Sequence, residues 1–550
     1  MPSHRLRPAL FLGVLALAIA GACSHIPPPP PPPPPAVLPP PPPPPAPMYQ
    51  GDARAMQPRP REEFNREGYR AIVENEFADV AGHPLSTFAI DVDAASYSNV
   101  RRFLRNGTLP PRDAVRVEEL VNYFSYDYPD PTGTDPFSIT TEISTAPWNP
   151  AHRLVHVGIQ GRRMNTRDLP ASNLVFLIDV SGSMEDPNKL PLVKQAFRLL
   201  VDQLRPQDKV SIVVYAGAAG LVLEPTSGAD KATLREAIES LQPGGSTAGA
   251  RGIRLAYLIA RGAMIPGGNN RVILATDGDF NVGVSSDAEL VRLIEQERQS
   301  GVFLTVLGFG TGNYQDAKME QLADAGNGNF AYIDQLSEAR KVLVREMGGT
   351  LFTIAKDVKV QVEFNPARVK AYRLVGYENR LLAAEDFADD SKDGGELGAG
   401  HSVTALYEII PAESDEPVRG TGPLRYQTTQ PRAGAGGNEL MTVALRYKDP
   451  DGIASRLVQH PVLDGGVALA RTSDDFRFAA AVAEWGMLLR DSKFKGNATW
   501  PAVAELARGA LADDRGGYRA EFVRLVAQSQ RLAESHGGGD RPHGDDGGRR

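Results

Sequence analysis

The stretch LIDVSGSM, Leu177–Met184, decides the fold that the sequence predicts. It ends a continuous apolar run that begins at Leu174, and such a run indicates a strand buried on both faces of a sheet. Asp179, Ser181 and Ser183 follow at alternate positions, where that strand ends. Ligands of open α/β sheets bind beyond the carboxyl ends of the strands, so we expect these three side chains to face a ligand.

The surrounding pattern predicts an α/β domain over residues 171–350. Short apolar strands alternate there with helical stretches of roughly 10 to 15 residues. Strands are predicted at 174–180, 210–215, 272–276, 303–309 and 330–333, and helices at 189–204, 231–241, 250–263, 288–297, 315–323 and 338–347. This alternation is typical of a doubly wound, mainly parallel sheet.

Strand patterns of a different kind lie on both sides of this domain. Residues 137–160 precede it, and DVKVQVEF, VTALYEII and LMTVALRY follow it, all with alternating apolar positions that favour a β-sandwich. A domain with closely spaced ends tolerates insertion into another domain. We therefore expect the α/β domain to be inserted in, or flanked by, a β-sandwich.

Helical patterns complete the chain. A helix is predicted over Asp113–Phe124, and three more form a C-terminal helical segment with Ser473 as the first cap. The expected regions are a lipoprotein signal peptide (1–22), a proline-rich tether (23–50), a region of helices and then strands (51–170), the α/β domain (171–350), a β-sandwich-like domain (351–470), C-terminal helices (471–536) and a disordered tail (537–550).

The N-terminus has the pattern of an export signal. Two arginines precede the apolar stretch Ala9–Ala22, which is shorter than the roughly 20 residues that span a bilayer. Ala20-Gly21-Ala22-Cys23 resembles a bacterial lipobox, which implies lipidation of Cys23, and Ser24 resembles the outer-membrane default of diderm lipoproteins. The single cysteine cannot form an internal disulfide. We expect a lipid-anchored envelope protein, periplasmic or surface-facing, on a stiff spacer of roughly 65 Å over Pro27–Pro47.

Charge argues against a nucleic-acid partner. The formal net charge of the 550 residues is −8, and lysine and arginine form no dense stripe. Phosphate binding depends on clustered cations, so we expect no nucleic acid to bind.

Two more oxygen-bearing side chains are predicted to join those after the first strand. Thr247 lies in the glycine-rich loop GGSTAG before a helix, and Asp277 follows the strand in RVILATDG. Carboxylates and hydroxyls suit hard divalent ions such as Mg²⁺, or alternatively Mn²⁺ or Ca²⁺. Histidine and cysteine have no zinc-ligand spacing in this sequence. The expected metal ligands are Asp179, Ser181, Ser183, Thr247 and Asp277.

These motifs carry a family resemblance. DVSGSM, GGSTAG and TDGDFNVG resemble, in order and position, the metal-ion-dependent adhesion site of von Willebrand factor type A domains. PLSTFAIDVDAASYSNVRRFL, VEELVNYFSYDYP and GHSVTALYEIIP resemble a bacterial lipoprotein-like subfamily, which has an N-terminal A-domain-associated region and a C-terminal extra domain. The likeness covers residues 74–532.

The resemblance implies a binding module rather than an enzyme, with an Asp or Glu of a protein ligand completing the metal shell. Two alternatives stay open. One is a structural envelope scaffold whose metal site is vestigial. The other is a Mg²⁺-dependent phosphatase, because Asp91 and Asp93 in AIDVDAAS resemble the start of haloacid-dehalogenase-type enzymes, although Ala95 stands where Thr or Val is expected.

Overall fold

The computed structural model describes residues 67–537, apart from 166, 246–248, 279–286, 313, 347–350, 421–436 and 451. The predicted signal peptide, Cys23, the tether and residues 538–550 of the predicted tail lie outside this part of the chain. Among the helices of the described residues, none combines the length and the apolar character that crossing a membrane requires.

Two short helices and four strands precede the α/β domain. They are β1 (Ala78–Asp79), β2 (Leu85–Ala89), α1 (Ala95–Arg105), α2 (Val117–Asn122), β3 (Phe137–Ala146) and β4 (Asn149–Gly161). The helix predicted over Asp113–Phe124 is wrong in its first half. A 3₁₀ turn covers Arg112–Ala114, the backbone then runs extended through Arg116, and α2 begins only at Val117. The extended residue lets Arg116 form ion pairs with Glu119 and Asp316, and tertiary contacts of this kind override local helix preference.

The α/β domain confirms the predicted fold class. Its strands are β5 (Ser172–Asp179), β6 (Lys209–Tyr215), β7 (Ala219–Ser227), β8 (Asn269–Thr276), β9 (Val302–Phe309) and β10 (Phe330–Ile333). Its helices are α3 (Leu190–Gln203), α4 (Lys231–Ser240), α5 (Gly249–Gly262), α6 (Asp287–Arg298), α7 (Asp316–Ala325) and α8 (Leu336–Arg340), and a π-helical turn follows over Lys341–Arg345. The sheet order is β10-β9-β8-β5-β6-β7. All neighbours are parallel except β6 and β7.

The central strand β5 is buried along its whole length. Leu174, Phe176 and Ile178 point into one apolar core, and Val175 and Leu177 point into a second core on the opposite face. Because strand side chains alternate between faces, only a continuous apolar run fills both cores. This burial holds the end of β5, and with it Asp179, in a rigid position.

The remaining strands build a β-sandwich together with those that precede the domain. They are β11 (Thr353–Phe364), β12 (Val369–Val375), β13 (Gly395–Gly398), β14 (Ser402–Pro411), β15 (Glu439–Lys448) and β16 (Arg456–Leu463). One sheet has the order β1-β12-β14-β4-β3; the other has β13-β11-β15-β16, with β2 also paired to β11. Apolar side chains of both sheets share one core. The α/β domain is therefore inserted into the sandwich, as predicted.

Three helices follow the sandwich: α9 (Asp474–Leu489), α10 (Trp500–Arg508) and α11 (Tyr518–Gly537). The predicted cap is confirmed, because the Ser473 hydroxyl accepts a hydrogen bond from the Phe476 N–H at 3.0 Å. Their apolar side chains pack with those of α1 and α2 in a single core, where the Trp485 ring meets Phe522 edge-on at 5.2 Å. The two ends of the described chain thus fold together.

Arg101 joins three parts of the molecule. It lies in α1 with 1% of its side chain exposed. Its guanidinium pairs with Asp334 at 2.5 Å and Glu338 at 2.6 Å in the α/β domain, and with Glu521 of α11 at 3.1 Å. Breaking a buried ion pair from one side is costly because the remaining charge stays buried and unpaired.

We expect Arg101→Met to destabilise the protein by about 3–5 kcal/mol, because Asp334 and Glu338 lose their buried counter-charge. Urea denaturation followed by circular dichroism measures the free energy of unfolding. Arg515→Met is the matched control, since Arg515 pairs with Asp513 at a side-chain exposure of 88%, and a surface pair contributes at most about 1 kcal/mol. Equal midpoints for the two variants would contradict the role given to Arg101.

Candidate metal site at the edge of the parallel sheet

The first predicted ligands lie together at the carboxyl end of β5. Asp179 is the last residue of the strand, and its Oδ1 accepts a hydrogen bond from the Ser181 N–H at 2.8 Å. A 3₁₀ turn over Gly182–Glu185 brings the Ser183 Oγ to 3.1 Å from the Ser181 Oγ. One carboxylate and two hydroxyls therefore converge within a single turn.

The glycine-rich loop lies against this turn. The Gly182 N–H donates to the Gly245 carbonyl at 3.1 Å, and the Gly244 N–H donates to the Val180 carbonyl at 2.7 Å. Gly245 has a φ of +84°, a conformation in which only glycine is unstrained. Thr247 itself lies outside the described residues, two positions beyond this anchored loop.

Asp277 arrives from the neighbouring strand. Strands β5 and β8 run parallel, with Ile178 opposite Ala275, so the residues that follow them emerge at the same edge. The Thr276 hydroxyl donates to Asp179 Oδ2 at 3.5 Å, which ties the two strand ends together. The structure thus brings together four predicted ligands: Asp179, Ser181, Ser183 and Asp277. Their role as ligands stays a prediction.

A lysine that sequence reasoning missed completes the neighbourhood. Lys189 donates from Nζ to Asp277 Oδ2 at 2.9 Å, and only 4% of its side chain is exposed. Its stem packs on Gly310, where an added Cβ would lie 2.4 Å from the lysine Cγ. Gly310 also has a φ of +76°. The only sequence signal was a lysine at the start of α3, and that position alone does not indicate its partner.

The two aspartates of the site differ in their electrostatic surroundings. Burial raises the pKa of Asp179 to about 6, hydrogen bonds from Ser181 oppose the rise, and the charge of Asp277 adds to it. Lys189 compensates Asp277, whereas Asp179 has no ion pair with any described residue. Burying a carboxylate without a counter-charge is unfavourable. Two carboxylates and neighbouring hydroxyls form an all-oxygen donor set, which fits a hard divalent ion.

The two aspartates of the phosphatase alternative lie elsewhere, after β2. Arg380 donates to Asp91 Oδ2 at 3.1 Å and to Asp93 Oδ2 at 3.5 Å. Asp93 also accepts the Phe330 N–H at 2.8 Å. Both side chains are buried and engaged in a network of ion pairs.

Family models match three consecutive parts of the chain. These are von Willebrand factor over residues 63–156, von Willebrand factor type A domain over 173–345, and Uncharacterized protein YfbK, C-terminal, over 349–532. Together with the parallel sheet and its converging loops, they define a bacterial von Willebrand factor type A domain protein.

A curated relative specifies the family further. Uncharacterized protein YfbK of Escherichia coli (strain K12) is 45% identical over 466 residues, which cover 83% of this chain and 80% of that protein. The chain therefore belongs to the YfbK family of von Willebrand factor type A domain proteins.

Two solved structures match parts of the chain. The von Willebrand factor type A protein from Catenulispora acidiphila matches 71% of this chain and 90% of its own, with 19% identity and a TM-score of 0.38. Proximal thread matrix protein 1 from the mussel byssus, with a zinc-occupied MIDAS motif, matches 32% of this chain and 44% of its own, with 26% identity and a TM-score of 0.26.

We expect Lys189→Met to raise the affinity for Mg²⁺ about tenfold, because the substitution removes a positive charge that competes for Asp277. Isothermal titration calorimetry with Mg²⁺ measures this. Lys194→Met is the control, since Lys194 donates to the Glu239 carbonyl at the surface. A fall in affinity would show instead that Lys189 holds Asp277 in its binding position.

Proposed function

We propose that this chain is a non-enzymatic, membrane-anchored envelope module that binds a protein ligand through a divalent cation, with Mg²⁺ as the first candidate. The observation that carries the proposal is the convergence of Asp179, Ser181, Ser183 and Asp277 at one sheet edge. The loop before Thr247 is hydrogen-bonded to the same turn, so this residue is our candidate fifth ligand.

The charge of the donor set supports an acidic partner. Asp179 and Asp277 supply two negative charges, and the serine hydroxyls bind as neutral groups. A bound divalent ion would therefore be close to neutralised but not saturated, and it would keep an affinity for one more carboxylate. An Asp or Glu side chain of a partner protein provides that group. Gly182 is exposed and Ser183 is half-buried, which leaves room for the partner at the turn.

Asp179→Ala is expected to weaken Mg²⁺ binding at least 100-fold, because it removes one of two carboxylates and the acceptor that orders the Ser181 turn. Isothermal titration calorimetry measures the affinity for Mg²⁺. Glu185→Ala is the matched control, as Glu185 is an exposed acid in the same turn. Equal Mg²⁺ affinities of the two variants would contradict the metal site.

Binding of the partner protein is tested with the same two variants, Asp179→Ala and Glu185→Ala. Crosslinking from native envelope with the full chain as bait should yield partners that EDTA and Asp179→Ala both release, while Glu185→Ala retains them. Changing the critical acid of such a partner to its amide should then abolish binding while the metal stays bound. The scaffold alternative predicts partners that remain bound in EDTA and with Asp179→Ala, and that result would overturn the metal bridge.

The proposed anchor is Cys23, with the outer membrane of a diderm bacterium as the location. Cys23→Ser is expected to abolish lipid labelling and to release the chain from the membrane fraction, because the thiol is the acylation site of the lipobox-like sequence. Metabolic labelling with a fatty-acid analogue and membrane fractionation measure both effects. Ser24→Ala serves as a neighbouring control, and unchanged fractionation of Cys23→Ser would contradict the anchor.

A further inference from the structure

Six carboxylates surround two guanidinium groups where the N-terminal region, the α/β domain and the sandwich meet. We call this group the junction cluster; its acids are Asp91, Asp93, Glu119, Asp316, Glu320 and Asp324, and its cations are Arg116 and Arg380. Arg116 pairs with Glu119 and Asp316. Arg380 lies 2.8 Å from Asp324, 3.1 Å from Asp91, and 3.5 Å from both Asp93 and Glu320.

The ion pairs of the junction cluster do not balance its charge. Two arginines face six acids, so full ionisation would leave an excess of negative charge. Five of the acids are buried, and Asp324 has 42% of its side chain exposed. Asp91 and Asp93 are 4% exposed, and Glu119 and Asp316 at most 1%. Uncompensated charge at such burial is strongly unfavourable, and the cluster requires either protons or a further cation.

Glu118 adds a buried acid that points to a missing partner. It precedes Glu119 in α2 and is 1% exposed, yet neither of its carboxylate oxygens makes a well-formed hydrogen bond with any described residue. Glu118 lines a cavity of about 190 Å³ together with Arg116, Glu320 and Asn379.

Oxygen spacing in the junction cluster suits one cation. Asp91, Glu119 and Glu320 each offer a carboxylate oxygen, and these three atoms lie within 4.8 Å of one another. Ligands of a calcium ion stand about 2.3–2.6 Å from the metal, so two of them can be at most about 5 Å apart. The ligands are all hard oxygens, and Ca²⁺ accepts six to eight of them in irregular arrangements, with waters supplying the rest.

We propose that the junction cluster binds a second divalent cation, of the Ca²⁺ type, with Asp91, Glu119 and Glu320 as ligands. Glu118 lines the cavity beside Glu320. None of these residues belongs to the site around Asp179. The ion neutralises the excess negative charge and links α2, the segment after β2 and α7. Metal at this place holds the inserted domain against the segments that flank it.

The test uses the full chain carrying Asp179→Ala, so that the candidate metal site around Asp179 does not contribute to ion binding. Equilibrium dialysis with ⁴⁵Ca²⁺ at pH 7.5 should find one bound ion per chain. Adding Glu118→Gln and Glu320→Gln should weaken that binding at least 100-fold. Adding Glu484→Gln instead is the matched control, since Glu484 is an equally buried acid in α9, away from the cluster. Absence of bound Ca²⁺, or equal binding by the cluster and control variants, would overturn the proposal.

Thermal denaturation separates a cation site from an acid cluster that protons neutralise. The midpoint in EDTA serves as the reference for each protein separately, since Glu320→Gln also removes a partner of Arg380. With Ca²⁺, the parent should gain several degrees and the cluster variant should gain none. If Ca²⁺ shifts neither protein, the cluster is neutralised without metal and the proposal fails.

Terbium luminescence provides a second readout should the double substitution prevent folding. The Tyr314 hydroxyl donates to Asp316 at 2.9 Å, so this ring lies beside the junction cluster. Tb³⁺ bound by the Asp179→Ala protein should emit on tyrosine excitation, Ca²⁺ should displace it, and Tyr314→Phe should reduce the signal by at least half. Emission that Tyr314→Phe leaves unchanged would place the ion elsewhere and contradict the proposal.

Discussion

The pairing of β4 with β14 is the interaction on which the other parts of the fold depend. Arg153–Gln160 hydrogen-bond in register with Ser402–Ile409, although the whole α/β domain lies between them in the chain. Neighbouring strands stand about 4.8 Å apart. The inserted domain must therefore return the chain close to where it left the sandwich, and a compact parallel sheet does this. A flexible loop of this length would lose entropy when its ends are brought together. A folded domain with closely spaced ends avoids that loss at the β4–β14 pairing.

Buried guanidinium groups then set how the parts of the molecule meet. Arg101 connects α1 with the α/β domain and α11, while Arg116 and Arg380 connect the segments around β2 and α2 with α7. Arginine suits such positions because its planar fork donates several hydrogen bonds and it stays charged when buried. Apolar contacts alone would tolerate sliding between the parts, whereas these pairs fix one relative arrangement. The candidate metal site and the junction cluster occupy separate places in the same compact unit.

The sequence predicted best what depends on neighbouring residues. The apolar run through Leu174 predicted a strand buried on both faces, and the structure confirms it. The edge strand β7 was not predicted, because its half-exposed face carries a mixed pattern that does not distinguish a strand from a loop. The helix expected from Asp113 starts late, since Arg116 is drawn into ion pairs with residues as distant as Asp316. No local pattern contains that partner.

For the site, the sequence by itself determined the type of chemistry: an acid and alternating hydroxyls after a buried strand, a second acid after another strand, and a glycine-rich loop between them. These features are local, because strand ends and turns follow from the residues within them. Only the tertiary structure decided that Lys189 faces Asp277, and that Asp91 of the DVD motif lies with Glu119 and Glu320. Lys189 and Asp277 lie 88 residues apart in the chain, and Asp91 and Glu320 lie 229 residues apart. Such pairs meet only when the strands and domains have packed. The burial of apolar surface drives that packing, and the spacing of the charged residues in the sequence does not reveal it.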